Sequence, residues 1–217
     1  MRTSSESIEE PHWVSRSAYQ IVSLLFLASE IALAAVLHQR ASMWWVAALV
    51  LLISHLMHGS LVGFHEASHG LLRRNRRFNE VNGVVLGILS FMSFSLYRAA
   101  HQTHHANLGT ERDEELWPFV LTHMPRWKRV LAAFLELCAG LLFTPFLFQR
   151  TFLRNGSPIR QKKVRRRIWT EMIAIAVVWI AILVAVASFR VGRYFLWLYR
   201  APAILAPNLQ SWRKFLN

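Results

Sequence analysis

The chain contains a single cysteine, Cys138, so no internal disulfide can form. Cys138 lies inside an apolar run and reads as a small packing residue, silent about redox compartment. Charge is scarce too: 17% of the 217 residues are charged, against 54% hydrophobic. The apolar residues come in runs too long for a soluble core, which argues against a soluble helical protein and for an integral membrane protein of one domain. The polar residues 1–16 carry Glu6, Glu9 and Glu10 and lack the short basic start of a secretory signal. Acidic side chains are the rarer sign, 12 against 25 Lys and Arg. The basic residues cluster beside apolar runs, so their economical role is orientation, with those ends cytoplasmic and close to anionic headgroups, rather than binding of nucleic acid. No internal repeat or low-complexity stretch stands out.

What the chain does have is histidine in two tight groups, His65/His69 and His101/His104/His105. On a helix, at roughly 100° per residue, His65 and His69 project from nearly one face a turn apart, and so do His101 and His105. Each group can therefore aim several imidazoles at one point. Neutral imidazole is the commonest protein metal ligand, and five such nitrogens leave room for more than one ion. The residue types point to a histidine-rich metal site, with iron the expected ion.

The rest of the chain is organised around those groups. After the polar tail of residues 1–16, a first apolar span covers residues 17–37, long enough for a hydrocarbon core of about 30 Å. Glu30 within it is either a functional carboxylate or one lying near the far interface. A second span, residues 43–64, opens with the interfacial pair Trp44 and Trp45 and continues as a helix carrying His65 and His69. His58, seven residues before His65, falls on nearly the same face about 10 Å lower. Arg73, Arg74, Arg76 and Arg77 then place this end on the cytoplasmic side. Residues 81–96 are apolar but short for a crossing, and one crossing would part the two histidine groups. That segment is expected to be buried or to dip into the membrane and return.

After His105 comes an acidic loop with Glu111, Asp113, Glu114 and Glu115, which are candidates to orient ligating imidazoles through their second nitrogens. The apolar run 130–148 contains Pro145 and is basic at both ends, which favours an in-plane or re-entrant passage. A span over residues 168–189 and a final apolar segment over 194–209, interrupted by Arg200, Pro202 and Pro207, complete the chain.

Taken alone, His65-Glu66-Ala67-Ser68-His69 matches the H-E-x-x-H pattern of zinc peptidases, with Glu66 as general base. Membrane-embedded members need a later Asp-Gly as third ligand, and the one aspartate here, Asp113, precedes Glu114. The pair of groups is more specific. HEASH at 65–69, followed by HQTHH at 101–105 and then NLGTERDEELWP, resembles the membrane fatty acid desaturase superfamily from the first span onward.

That resemblance implies an all-α integral membrane fold: about four transmembrane helices in two hairpins, membrane-embedded or interfacial helices, and a cytosolic cap bearing the histidine boxes. It implies two non-haem iron ions, with His65, His69, His101, His104 and His105 as ligands and His58, Asp113 and Glu66 as candidates to support them from behind. The implied reaction uses O2 and two electrons from a ferredoxin or cytochrome b5-type donor to introduce a double bond into a lipid acyl chain. Relatives with similar boxes hydroxylate or ketolate carotenoids and other lipids. The family also carries a third H-x-x-H-H box, whereas His123 is the one histidine beyond His105. Residues 17–217 are thus expected to be a desaturase-like domain incomplete at its C-terminus, a fragment in preference to a degenerate, non-catalytic metal-binding form.

Overall fold

The computed structural model describes residues 13–206, and every regular element within them is helical. Four of these helices are long and apolar enough to cross a membrane: α1 (Trp13–His38), α2 (Met43–Ser68), α5 (Arg126–Leu153) and α6 (Lys162–Ser188). Helix α1 starts at Trp13, four residues inside the stretch expected as a polar tail; residues 1–12 and 207–217 lie outside the described residues. Large apolar side chains remain exposed along these helices. On α6, Ile173, Val177, Ile180 and Val184 recur at helical spacing on one outward face, as a lipid-facing surface requires.

Helices α1 and α2 form a hairpin around Leu33, Leu37, Val46, Val50 and Ile53. Small residues permit its close approach: a Cβ on Gly63 would collide with the Tyr19 ring. Ser42 caps α2, its hydroxyl accepting from the Trp44 amide. Helix α2 then runs unbroken to Ser68, carrying His65 in its last turn, with His69 as the residue that ends it.

The short apolar segment before the second histidine group is a bent pair, α3 (Arg76–Leu89) and α4 (Phe94–Ala106), whose axes meet at 100°. With this bend the two histidine groups meet. Two glycines make the bend possible: a Cβ on Gly83 would strike the Phe94 ring, and one on Gly87 would strike the Met92 carbonyl. At the tip Phe91 adopts a left-handed backbone (φ 57°), and its ring stacks on Trp179 of α6 at 4.4 Å. The Trp179 indole nitrogen donates to the Ile88 carbonyl at 2.8 Å, and Tyr199 donates to the Leu89 carbonyl. Those carbonyls lie at the end of α3, where the helix's own amides run out, and the Ile88 carbonyl also accepts from the Phe91 amide at 3.4 Å.

Helix α5 is one element of 28 residues whose backbone leaves helical geometry at Ala139 (φ −134°, ψ 30°), six residues before Pro145. Its length and composition make it a candidate span, beyond the in-plane or re-entrant passage that its basic ends suggested. Cys138, beside this kink, is exposed rather than packed. The last segment begins as α7 (Gly192–Phe195) and widens to a π-helical turn over Leu196–Arg200. The Ala201 amide reaches back to the Leu196 carbonyl, directly before Pro202, which has no amide hydrogen to continue the usual ladder.

A second core joins the C-terminal end of α2 to α4, α5 and α6. It contains Phe64, Ala67, Phe94, Leu96, Ala100, Phe148, Phe152 and Ile168, and it forms the floor beneath the histidines.

Candidate metal centre

Two helix ends deliver the imidazoles. Helix α2 brings His65 and His69, whose ring centroids are 4.8 Å apart; helix α4 brings His101 and His105, 4.6 Å apart. Across the gap, His65 lies 4.7 Å from His101, and His69 lies 5.0 Å from both His101 and His105. Each of the four offers a ring nitrogen, and these nitrogens all lie within 4.8 Å of one another. His101 is buried at the centre, while His69 and His105 are exposed.

The donor set and its spacing fit a transition-metal ion. His101 Nε2 lies 3.1 Å from His69 Nε2 and 3.1 Å from His105 Nε2. With metal–nitrogen bonds of about 2.1 Å, two ligands at right angles on one ion stand about 3.0 Å apart. Although His69 is exposed at its rim, partial desolvation against its neighbours draws its pKa below the ordinary imidazole value, and His65, His101 and His105 push it the same way, against a weaker opposing pull from Glu66. That direction favours the neutral imidazole, the form that binds metal.

Carboxylates meet the outer nitrogens of these rings. Glu115 sits 2.8 Å from His101 Nδ1, Asp113 sits 2.8 Å from His104 Nδ1, and Glu66 sits 3.3 Å from His65 Nδ1. An ionised carboxylate can only accept, so each fixes the ring hydrogen on Nδ1 and turns the Nε2 lone pair away from itself. Tyr97 lies parallel to His101 at 5.2 Å and further limits its ring plane.

Asp113 organises the acidic loop as well. Its side chain is buried, and it accepts from the backbone amides of Gly109, Glu115 and Leu116 in addition to His104. Burial alone would raise its pKa; the His104 ring and the Gly109 and Leu116 amides overcome that and hold it below the ordinary aspartate value. Glu114 anchors the same loop to α5, accepting from Arg150 at 3.0 Å, Thr151 at 3.1 Å and Arg154. Arg150 also lies over the Trp117 ring at 3.9 Å.

Of the residues singled out from sequence, His65, His69, His101 and His105 come together. His104 stands outside that group of four, its ring drawn toward Asp113. His58, lower on α2, is not a member either, and its ring neighbours His55 at 6.5 Å. Glu30, on α1, does not join any metal-binding group among the described residues.

Sequence reasoning passed over three charged residues around α4: Glu80, Arg98 and Glu171. Glu80 accepts from Arg98 and Arg167, and Glu171 accepts from Ser93, Ser95 and Arg167. A carboxylate inside an apolar span is itself a signal, and Glu171 carried it as plainly as Glu30 did. Beside Ser93, an apolar cavity of about 220 Å³ opens between the α3–α4 bend, α5 and α6, with Met92, Leu96, Met172 and Ile175 in its walls.

Comparison with known proteins identifies a family. The model of the family described as fatty acid desaturase matches residues 42–216. A curated relative named sn-1 acyl-lipid omega-3 desaturase (ferredoxin), from Synechocystis sp., is 28% identical over 153 residues, covering 68% of this chain and 41% of the relative. The chain thus spans about two fifths of the length of that relative.

Proposed function

This chain belongs to the fatty acid desaturase family, and from that premise we propose that it provides the first two histidine boxes of an O2-dependent membrane oxidoreductase that places a double bond in a lipid acyl chain. The observation that carries the proposal is the convergence of His65, His69, His101 and His105 from two separate helix ends to within 4.8 Å. His104, one residue from that group and backed by Asp113, is the fifth imidazole available to a two-iron centre. Bound iron supplies the redox chemistry, by which O2, two electrons and two protons convert a CH2–CH2 pair into CH=CH and two waters. The electrons come from a ferredoxin or a cytochrome b5-type protein, and the name of the Synechocystis relative favours a ferredoxin.

The side chains of this chain have five jobs in this reading. The histidines hold the metal without offering an easily oxidised group, as a thiolate would. Glu115, Asp113 and Glu66 hold the ring hydrogens on Nδ1 and keep the imidazoles aimed. The buried aromatic floor of Phe64, Phe94 and Phe148 keeps water from beneath the centre. The apolar cavity under the α3–α4 bend offers room for part of an acyl chain already desolvated by the membrane. The arginines at 73, 74, 76 and 77 support a cytoplasmic placement of this side, within reach of a soluble electron donor.

The test is expression in membranes, followed by iron analysis of the purified protein and acyl-chain analysis of the host lipids. Retained iron with new double bonds supports the reading. Hydroxylated or ketolated products move it to the sister chemistry, and a protein that holds no iron overturns it.

A further inference from the structure

Glu171 lies in α6, one turn into its apolar span, and only 8% of it is exposed. Its carboxylate accepts four hydrogen bonds: from the Ser93 hydroxyl at 2.7 Å, the Ser95 amide at 2.8 Å, the Ser95 hydroxyl at 2.7 Å and Arg167 Nε at 3.0 Å. Ser93 is the N-cap of α4, and Ser95 sits in its first turn. Glu171 therefore grips the start of the helix whose far end carries His101 and His105. The contact belongs to a closed circuit through three helices. Arg167 also reaches Glu80 on α3, and Glu80 accepts from Arg98 on α4, three residues before His101.

A buried carboxylate is costly to desolvate, and apolar packing alone would hold these helices together at least as well. Phe94, Leu96 and Ile168 already supply such packing at the same junction. Apolar contact, however, is less directional than a hydrogen bond and specifies the rotation and height of a helix less sharply. One residue of slip turns a helix by about 100° and shifts it by about 1.5 Å. A slip of that size would carry His101 and His105 away from His65 and His69. Directional hydrogen bonds to Ser93 and Ser95 admit one register.

We propose that Glu171 is a positioning residue for the metal centre: it sets the rotation and height of α4 so that His101 and His105 meet His65 and His69. This rests on reading the four histidines as a metal site. It assigns to a residue of the apolar span a role in the geometry of a site on another helix.

The test is a Co(II) titration of the full chain in detergent, followed by visible absorption, with circular dichroism and thermal melting in parallel. Glu171→Ala is expected to weaken cobalt binding by about tenfold or more and to change the shape of the absorption band, with helix content retained. Glu171→Gln, which keeps an oxygen toward Ser95, is expected to recover most of that affinity. If Glu171→Ala lowers the melting temperature but binds cobalt with wild-type affinity and spectrum, its role is structural only and the proposal is overturned. If Glu171→Ala does not accumulate, Ser95→Ala decides: weaker binding supports the proposal, and an unchanged titration overturns it. A wild-type chain that binds no cobalt overturns the metal reading itself, a result distinct from equal binding by wild type and variant.

Discussion

The imidazole of His101 presents Nδ1 to Glu115 at 2.8 Å, while its Nε2 faces His69 and His105, each at 3.1 Å. A residue on the loop after α4 thus decides which nitrogen of a residue inside α4 is free for a ligand. Removing the carboxylate frees the ring to change tautomer and to rotate. Glu115→Ala is expected to lower metal affinity by about 10- to 100-fold with little change in helix content, measured by Co(II) or Fe(II) titration.

On the proposed reading the four converging histidines form one metal site, which sets them apart from the other histidines of the chain. Alanine at His65, His69, His101 or His105 is expected to remove most bound metal from the purified protein. Alanine at His123, which is 72% exposed and 3.9 Å from Glu111, is expected to leave metal content unchanged. Metal analysis of the five variants checks this, and equal loss in all of them would refute the assignment.

Metal binding to the folded site also stabilises the fold, because the unfolded chain cannot bring these helix ends together. Adding Co(II) at about 100 times its dissociation constant is expected to stabilise the protein by about 2.7 kcal/mol, and a chelator should reverse the shift in melting temperature.

Asp113 holds the acidic loop through three backbone amides and His104. Asp113→Ala leaves those partly buried donors without their shared acceptor, at an expected cost of about 1–3 kcal/mol in denaturant titrations. Faster proteolysis between Asn107 and Met124 would accompany it, since the loop loses its central acceptor.

The α3–α4 bend depends on Gly87, where an added Cβ would meet the Met92 carbonyl, a backbone atom that cannot rotate aside. Gly87→Ala is expected to destabilise the protein by about 1–3 kcal/mol and to weaken metal binding, because α4 must move. Gly156→Ala, in a turn with open space but φ of 77°, carries only the local backbone cost. Melting and cobalt titration of the two variants separate these effects.

Much of this was legible from local pattern. Apolar runs of adequate length identify spans because a helix is the one open-chain structure that satisfies its own backbone in lipid. The i, i+4 spacing of His65/His69 and of His101/His105 placed each pair on one helix face, since helical geometry is local. The acidic loop could be named as a support for imidazoles, but spacing alone could not say that Glu115 meets His101, Asp113 meets His104, and Glu114 turns instead to Arg150, Thr151 and Arg154.

What the sequence by itself determined is therefore the membrane class, the two histidine faces and the family to which they point. Each follows from composition, period and short motif, which act over one or two helical turns. The tertiary structure alone decided that the segment between the boxes bends by 100° and that the two histidine groups meet. It also decided that His104 stands aside from the other four and that Glu171 holds α4 from another helix. These depend on contacts between residues tens of positions apart, such as Glu171 with Ser95 and Trp179 with Ile88. Such contacts form through shape and buried hydrogen-bond satisfaction after the helices have packed, and no local period in the chain encodes them.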